Sequence, residues 1–186
     1  MKKSLDLGCG ENPRNPYGAD VVVGIDVSGE AGPFRLVRDV ALQGIPFPED
    51  YFDYVSAYDF LEHIPRLVYL PDHASIPKIH YPFVDLMSEI WRVLKPDGIF
   101  YSSTPCAQYS AAFQDPTHIS FWNQNSFWYY TRSQQAKYVP EIKARFQAAT
   151  LRTYFPSEWH KKHDICYVEA NLSALKGQRQ PGLCEI

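Results

Sequence analysis

Apolar residues recur along the chain in short runs separated by turn formers. The runs at 4–7, 20–25, 34–38, 52–57, 98–103, 151–155 and 165–170 each read as a β-strand. Over 81–94 the period changes. Val84, Met87, Ile90, Trp91 and Leu94 fall three or four residues apart and so share one helical face. That helix is expected to stop at Lys95-Pro96-Asp97-Gly98, where Pro96 disfavours the helical conformation before it and Gly98 supplies a turn. A second, shorter helix is expected over 140–149. Strands alternating with crossovers give an α/β class with a mostly parallel, Rossmann-like sheet and flanking helices, and such sheets bind ligands beyond the carboxyl ends of their strands.

Two segments break the alternation. Residues 64–81 carry Pro65, Pro71 and Pro77 and read as an irregular insertion. Residues 108–131 carry Phe113, Phe121, Trp122, Phe127, Trp128, Tyr129 and Tyr130 and read as an aromatic lid over an acceptor site. No repeat or linker divides the chain, so one domain over 1–186 is expected.

Composition narrows the partners. The 186 residues are 45% hydrophobic and 21% charged, the balance of a globular protein. A formal net charge of −3 offers no basic field for a phosphate backbone, so no nucleic-acid partner is expected. Met1 runs almost at once into the first strand, and no apolar stretch of membrane-spanning length occurs. A cytosolic protein without a membrane partner is therefore expected. Cys9, Cys106, Cys166 and Cys184 are scattered without zinc spacing and read as reduced thiols. Asp72, His73 and His80 read as surface loop, and no metal site is expected.

The chemistry concentrates at strand ends. Leu5-Asp6-Leu7-Gly8-Cys9-Gly10 sets a strand against a glycine turn, which lets a ligand approach the main chain. Asp26 ends the next apolar run, where a carboxylate can accept both hydroxyls of a ribose; a turn or helix cap is the other reading. That arrangement suits NAD and S-adenosylmethionine alike. A pyrophosphate, however, wants a helix N-terminus after the glycines, and Glu11-Asn12-Pro13-Arg14-Asn15-Pro16 cannot start one. A sulfonium cation, served by carboxylates and aromatic faces, fits better.

These segments resemble the motifs of class I S-adenosylmethionine-dependent methyltransferases. Leu5 to Gly10 is similar to their first motif and Gly24-Ile25-Asp26 to their second. Arg38-Asp39-Val40 with residues 45–55 resembles the adenine-side loop and fourth strand. Leu61-Glu62-His63-Ile64 resembles the segment after that strand, and residues 89–98 the helix and turn before the fifth. The resemblance implies S-adenosylmethionine as cofactor. Gly8 and Gly10 would border its methionine part, with Cys9 a small residue fitting the turn and Asp6 orienting the loop or reaching the amino group. Asp26 would hold the ribose, Asp39 and Val40 would bracket the adenine, and Tyr58 would lie near the sulfonium.

One departure stands out. The proline-rich stretch between the first two strands leaves the first crossover helix reduced or missing, and the face so uncovered could mark a homo-oligomer interface.

Methyl transfer needs an acceptor held in line with the methyl group and, for a hydroxyl acceptor, a base. His63, Asp115 and His118 fall in loops after the fourth and fifth strands. Asp115 and His118, three apart, could orient each other; a turn cap and a packed histidine are the plain alternatives. Gln114-Asp115-Pro116-Thr117-His118 is similar to a segment of small bacterial methyltransferases, some near surface-polysaccharide gene sets, which points to a small-molecule or glycan acceptor methylated at oxygen. A non-catalytic module that retains the cofactor fold and an NAD-dependent oxidoreductase remain the alternatives.

Overall fold

A computed structural model describes residues 1–70 and 78–177; Pro71 to Pro77, with Asp72 and His73, and residues 178–186, with Cys184, lie outside the described part. The elements in order are β1 (Lys3–Leu7), β2 (Val21–Asp26), β3 (Arg35–Val37), α1 (Val40–Gln43), β4 (Phe52–Tyr58), β5 (Val68–Leu70), β6 (Lys78–His80), α2 (Pro82–Val93), β7 (Leu94–Pro105), α3 (Trp128–Thr131), α4 (Ser133–Ala136), β8 (Phe146–Tyr154), α5 (Glu158–Lys162) and β9 (Tyr167–Ala174). Seven strands form one sheet in the order β3-β2-β1-β4-β7-β9-β8. The first five are mutually parallel, and β9 inserts antiparallel between β7 and β8. The α/β sheet is therefore mostly parallel, as the sequence leads one to expect.

The register decides what each face carries. Leu5 pairs with Val55, Leu7 with Ala57, and Val55 with Phe100, so these side chains share the face packed under α2. Leu86, Met87, Ile90 and Val93 of α2 are fully or nearly fully buried against it. Truncating such a residue costs about 2–5 kcal/mol through lost burial and an unfilled cavity. On the other face the register lines up Ser4 and Asp6 of β1, Tyr54, Ser56 and Tyr58 of β4, and Tyr101 and Ser103 of β7. This face is polar and aromatic. Among the described residues it receives no long helix from the β1–β2 connection, because residues 8–20 form only turns. The first crossover helix is missing, as its prolines require.

Three expectations are corrected. The helix expected over 140–149 does not form; Phe146 begins β8, which pairs with β9 along its length. The segment 64–81 is not wholly irregular, since β5 and β6 pair as an antiparallel hairpin there. Within 108–131, Trp122, Phe127 and Tyr130 are buried core side chains, Trp122 and Tyr130 packing on Phe83 of α2, while Phe113, Phe121 and Tyr129 are exposed.

Candidate active site

Five parallel strands end on one edge, and the loops there enclose a cavity of about 480 Å³. Its lining includes Gly8 after β1, Asp26 and Val27 at the end of β2, Asp39 at the start of α1, and Asp59, Phe60 and His63 after β4. Four of the expected site residues, Gly8, Asp26, Asp39 and His63, thus meet around one space.

Each is placed by local chemistry. Gly8 and Gly10 adopt left-handed conformations, φ 65° and 57°, which glycine reaches without a Cβ penalty. A Cβ on Gly8 would also lie 2.6 Å from the Phe60 ring. Asp26 fastens two loops: Oδ2 accepts from the Gly10 N–H at 2.9 Å, and Oδ1 accepts from the Ser28 N–H and hydroxyl, both at 3.0 Å. Partial burial would raise this carboxyl, but those donors outweigh it and hold Asp26 below the usual carboxylate range. It is an anion whose Oδ2 keeps a lone pair for a hydroxyl donor. Asp39 caps α1 by accepting from the Ala41 and Leu42 N–H groups at 3.0 and 3.3 Å, while also facing the cavity.

The remaining expected cofactor residues stand behind this lining. Val40 is buried in the core beneath it. Cys9 is buried, its Sγ lying where a Cβ on Gly24 would fall, so it packs the turn against β2. Asp6 is fully buried; its Oδ1 accepts from the Ser56 hydroxyl at 2.7 Å and its Oδ2 from the Arg14 N–H at 2.8 Å. Burial pushes the Asp6 carboxyl up, and these two donors only partly offset it. Tyr58 turns to the polar face, against Tyr101 and beneath the Arg14 guanidinium, whose carbon lies 4.9 Å from its ring centre.

Beside His63 the loops after β4 and β7 are laced together. Ile119 and Ser120 donate their N–H groups to the Glu62 carbonyl at 2.9 Å, and the Ser120 hydroxyl donates to the Leu61 carbonyl. This brings the His63 and His118 rings within 5.0 Å, edge to face. His118 Nδ1 lies 3.0 Å from the Ala112 carbonyl, an acceptor, so it carries the proton and leaves Nε2 with a lone pair. Nε2 is 4.0 Å from both an Asp115 carboxylate oxygen and Glu62 Oε1. Asp115 accepts from the Thr117 hydroxyl and N–H, which hold its carboxyl below the ordinary range. Glu62 is only 2% exposed. Burial pushes its carboxyl up, offset in part by the Thr104 hydroxyl, which donates to Oε2 at 2.6 Å.

Sequence reasoning missed Phe60 and Glu62 as site residues. Phe60 carries no periodic signal, and Glu62 gains its neighbours only across the contact with a loop more than 50 residues away.

The model for the methyltransferase domain family matches residues 2–158. This chain belongs to that family. No curated protein matches it, but solved structures do. A structure from Listeria monocytogenes assigned as an S-adenosylmethionine-dependent methyltransferase aligns over 94% of this chain and 92% of its own, with TM-score 0.58 and 16% identity. A SAM-dependent methyltransferase from Methanosarcina mazei aligns over 94% and 93%, with TM-score 0.57 and 15% identity. Phosphoethanolamine N-methyltransferase 2 of Haemonchus contortus, solved with S-adenosyl-L-methionine, covers 95% of this chain, which spans 49% of that longer protein, with TM-score 0.54 and 15% identity. At these identities the likeness is one of fold. Family and fold agree with the resemblance read from the motifs of this methyltransferase-domain protein.

Proposed function

We propose that this methyltransferase-domain protein binds S-adenosylmethionine in the 480 Å³ cavity and methylates a hydroxyl of a small-molecule or glycan acceptor. The observation that carries the reading is the convergence of a left-handed glycine turn, the Asp26 anion and His63 on that one cavity. Asp26 would accept the ribose hydroxyls, Asp39 would stand at the adenine side, and the Gly8 main chain would border the methionine part. The cofactor supplies an electrophilic methyl group on a sulfonium. The protein's part is to hold the acceptor oxygen in line with that methyl and to receive the hydroxyl proton, work that positioning and a base together can do. His63, His118 and Asp115 form the cluster with free lone pairs at that place. Exposed Phe113, Ile119 and Phe121 flank His118 in sequence and give an apolar rim suited to an acceptor that is not wholly polar.

An NAD enzyme is disfavoured by geometry, since no helix N-terminus follows Gly10 to meet a pyrophosphate. Among the described residues no helix is long and apolar enough to cross a membrane. Calorimetric titration with S-adenosylmethionine, S-adenosylhomocysteine and NAD tests the cofactor. Micromolar binding of the first two, about 8 kcal/mol, with none of the third is expected. Tight NAD binding would refute it.

A further inference from the structure

The cluster beside His63 has a second property. Glu62, His63 and His118 each offer a ligand atom, and these atoms all lie within 4.8 Å of one another. One carboxylate with two imidazoles is a donor set that holds first-row divalent ions with coordination positions to spare. Independently, Glu62 Oε1 is buried without a hydrogen-bond partner, although Oε2 of the same carboxylate is bonded to Thr104. A buried unpaired carboxylate oxygen is costly unless something cationic meets it. The carbonyls beside the two imidazoles leave each of them a nitrogen free for such a guest. Nδ1 of His118 faces the Ala112 carbonyl, and Nδ1 of His63 lies 3.2 Å from the Thr117 carbonyl, so each ring keeps a lone pair on Nε2. These carbonyl contacts are the outer-shell support that orients imidazole ligands. Asp115 stands beside His118, and His63 also lines the cofactor cavity.

We propose that Glu62, His63 and His118 bind one divalent transition-metal ion, with Asp115 beside it, and that the ion takes the acceptor hydroxyl as a further ligand. The second half rests on the methyl-transfer reading above; the first half does not. Two nitrogen donors favour zinc, nickel or ferrous iron over magnesium or calcium. Coordination acidifies a bound oxygen, as zinc brings the pKa of its bound water down to about 7. The acceptor hydroxyl then releases its proton to solvent by way of Asp115. Its oxygen lone pair forms the new O–CH3 bond while the S–CH3 bond breaks, the bonding pair staying on sulfur. The products are the methyl ether, S-adenosylhomocysteine and one proton, and the ion does not change oxidation state.

The test uses tag-free, chelator-treated full chain titrated with Co2+, followed by visible absorption, and with Zn2+, followed by calorimetry. One ion per chain is expected, with ligand-field bands of imidazole-bound cobalt. E62Q and H118A should each weaken binding at least tenfold. A double H160A/H163A variant should leave it unchanged, which sets aside the histidines of α5 and its end. D26A should keep ion affinity while binding S-adenosylmethionine far more weakly. Apo E62Q should unfold at no lower temperature than the wild type, because it removes the unpaired buried charge. The proposal is overturned by the absence of saturable binding, by ion affinity indifferent to E62Q and H118A, or by an E62Q variant that is less stable yet binds the ion normally. Ion binding without S-adenosylmethionine binding would leave the metal site standing and sink the methyl-transfer reading.

Discussion

Replacing Asp26 tests the cofactor site most directly. The carboxylate already accepts at both oxygens, Oδ2 from the Gly10 N–H and Oδ1 from the Ser28 N–H and hydroxyl, so Oδ2 keeps a lone pair for a ribose hydroxyl and Oδ1 frees a second when the Ser28 hydroxyl turns away. Hydrogen bonds to a charged acceptor are worth about 1.5–3 kcal/mol each. Because Asp26 is partly exposed, we take the lower figure. Two such bonds give about 3 kcal/mol, so Asp26→Ala should weaken S-adenosylmethionine binding roughly 100-fold. Asp26→Asn should be nearly as damaging, since its amide presents one acceptor oxygen where two N–H donors point, and its NH2 must face one of them. Calorimetry gives the affinity, and thermal unfolding without ligand gives the stability. Loss of the tie between two loops should cost the free protein about 1–2 kcal/mol, a shift of some 2–8 °C for a domain of this size. A variant whose melting temperature falls while its affinity stays within threefold of the wild type would reduce Asp26 to a turn cap and refute the ribose assignment.

Further outcomes follow from other contacts. Gly8→Ala combines a left-handed backbone with a Cβ 2.6 Å from the Phe60 ring, so it should cost about 2–4 kcal/mol in thermal unfolding and push Phe60 into the cavity, with cofactor affinity falling alongside. Asp53 accepts from Lys2 Nζ, Lys95 Nζ and the Lys3 N–H at 2.7–3.0 Å. Burial would raise its carboxyl, but these partners hold it well below the usual range. A depressed folded pKa means stability that is full above the unfolded value near 4 and lost as pH falls towards the folded one. With both lysines partly or largely exposed, Asp53→Asn should cost only about 1 kcal/mol at pH 7, and denaturant titrations should show the difference from wild type beginning to shrink at about pH 4 and narrowing steadily as the pH falls further. Glu89 accepts from Arg92 and from the Ile45 N–H, and Arg92 donates to the Ile45 and Phe47 carbonyls. Glu89→Ala should therefore loosen the loop after α1 and lower stability by about 1–2 kcal/mol, readable by urea unfolding; an unchanged midpoint would count against the tie.

What was legible in the sequence was what short range determines. Strands β1 and β4 show themselves by apolar residues at alternate positions, Leu5 and Leu7, Val55 and Ala57, because one face of the sheet is packed under α2, and α2 shows its 3.6-residue period because only one side is buried. The misread stretch over 140–149 has a physical cause. A bulge between Ala148 and Thr150 shifts the register of β8, so Phe146, Ala148 and Leu151 all point inward at spacings of two and three. That spacing imitates a helix, and pairing with β9 overrides the helical preference of Ala-Arg-Phe-Gln-Ala-Ala. In the site, Gly8, Asp26 and Asp39 sit at strand ends and announce themselves locally. The Glu62, His63 and His118 cluster does not, because it exists only where the loops after β4 and β7 touch.

The missing crossover helix and the cofactor turn are linked through Asp6. A sheet face without a long helix must satisfy itself, and here it does so with polar and aromatic side chains in place of an apolar patch. Tyr17, from the β1–β2 connection, stacks on Tyr54 at 4.4 Å, and Arg14 from the same connection covers Tyr58. Such a face needs no apolar partner to shield it, so the missing helix does not by itself require a second copy of the chain. The connection that covers the face also carries the glycine turn at its start, and Asp6 joins the two, bonded to Ser56 inside the sheet and to Arg14 N–H in the loop. In place of a helix dipole, a buried carboxylate anchors the loop that shapes the cavity. That substitution suits a cationic cofactor, since the loop offers Asp26 and main-chain atoms where a pyrophosphate would demand a row of helix N–H groups.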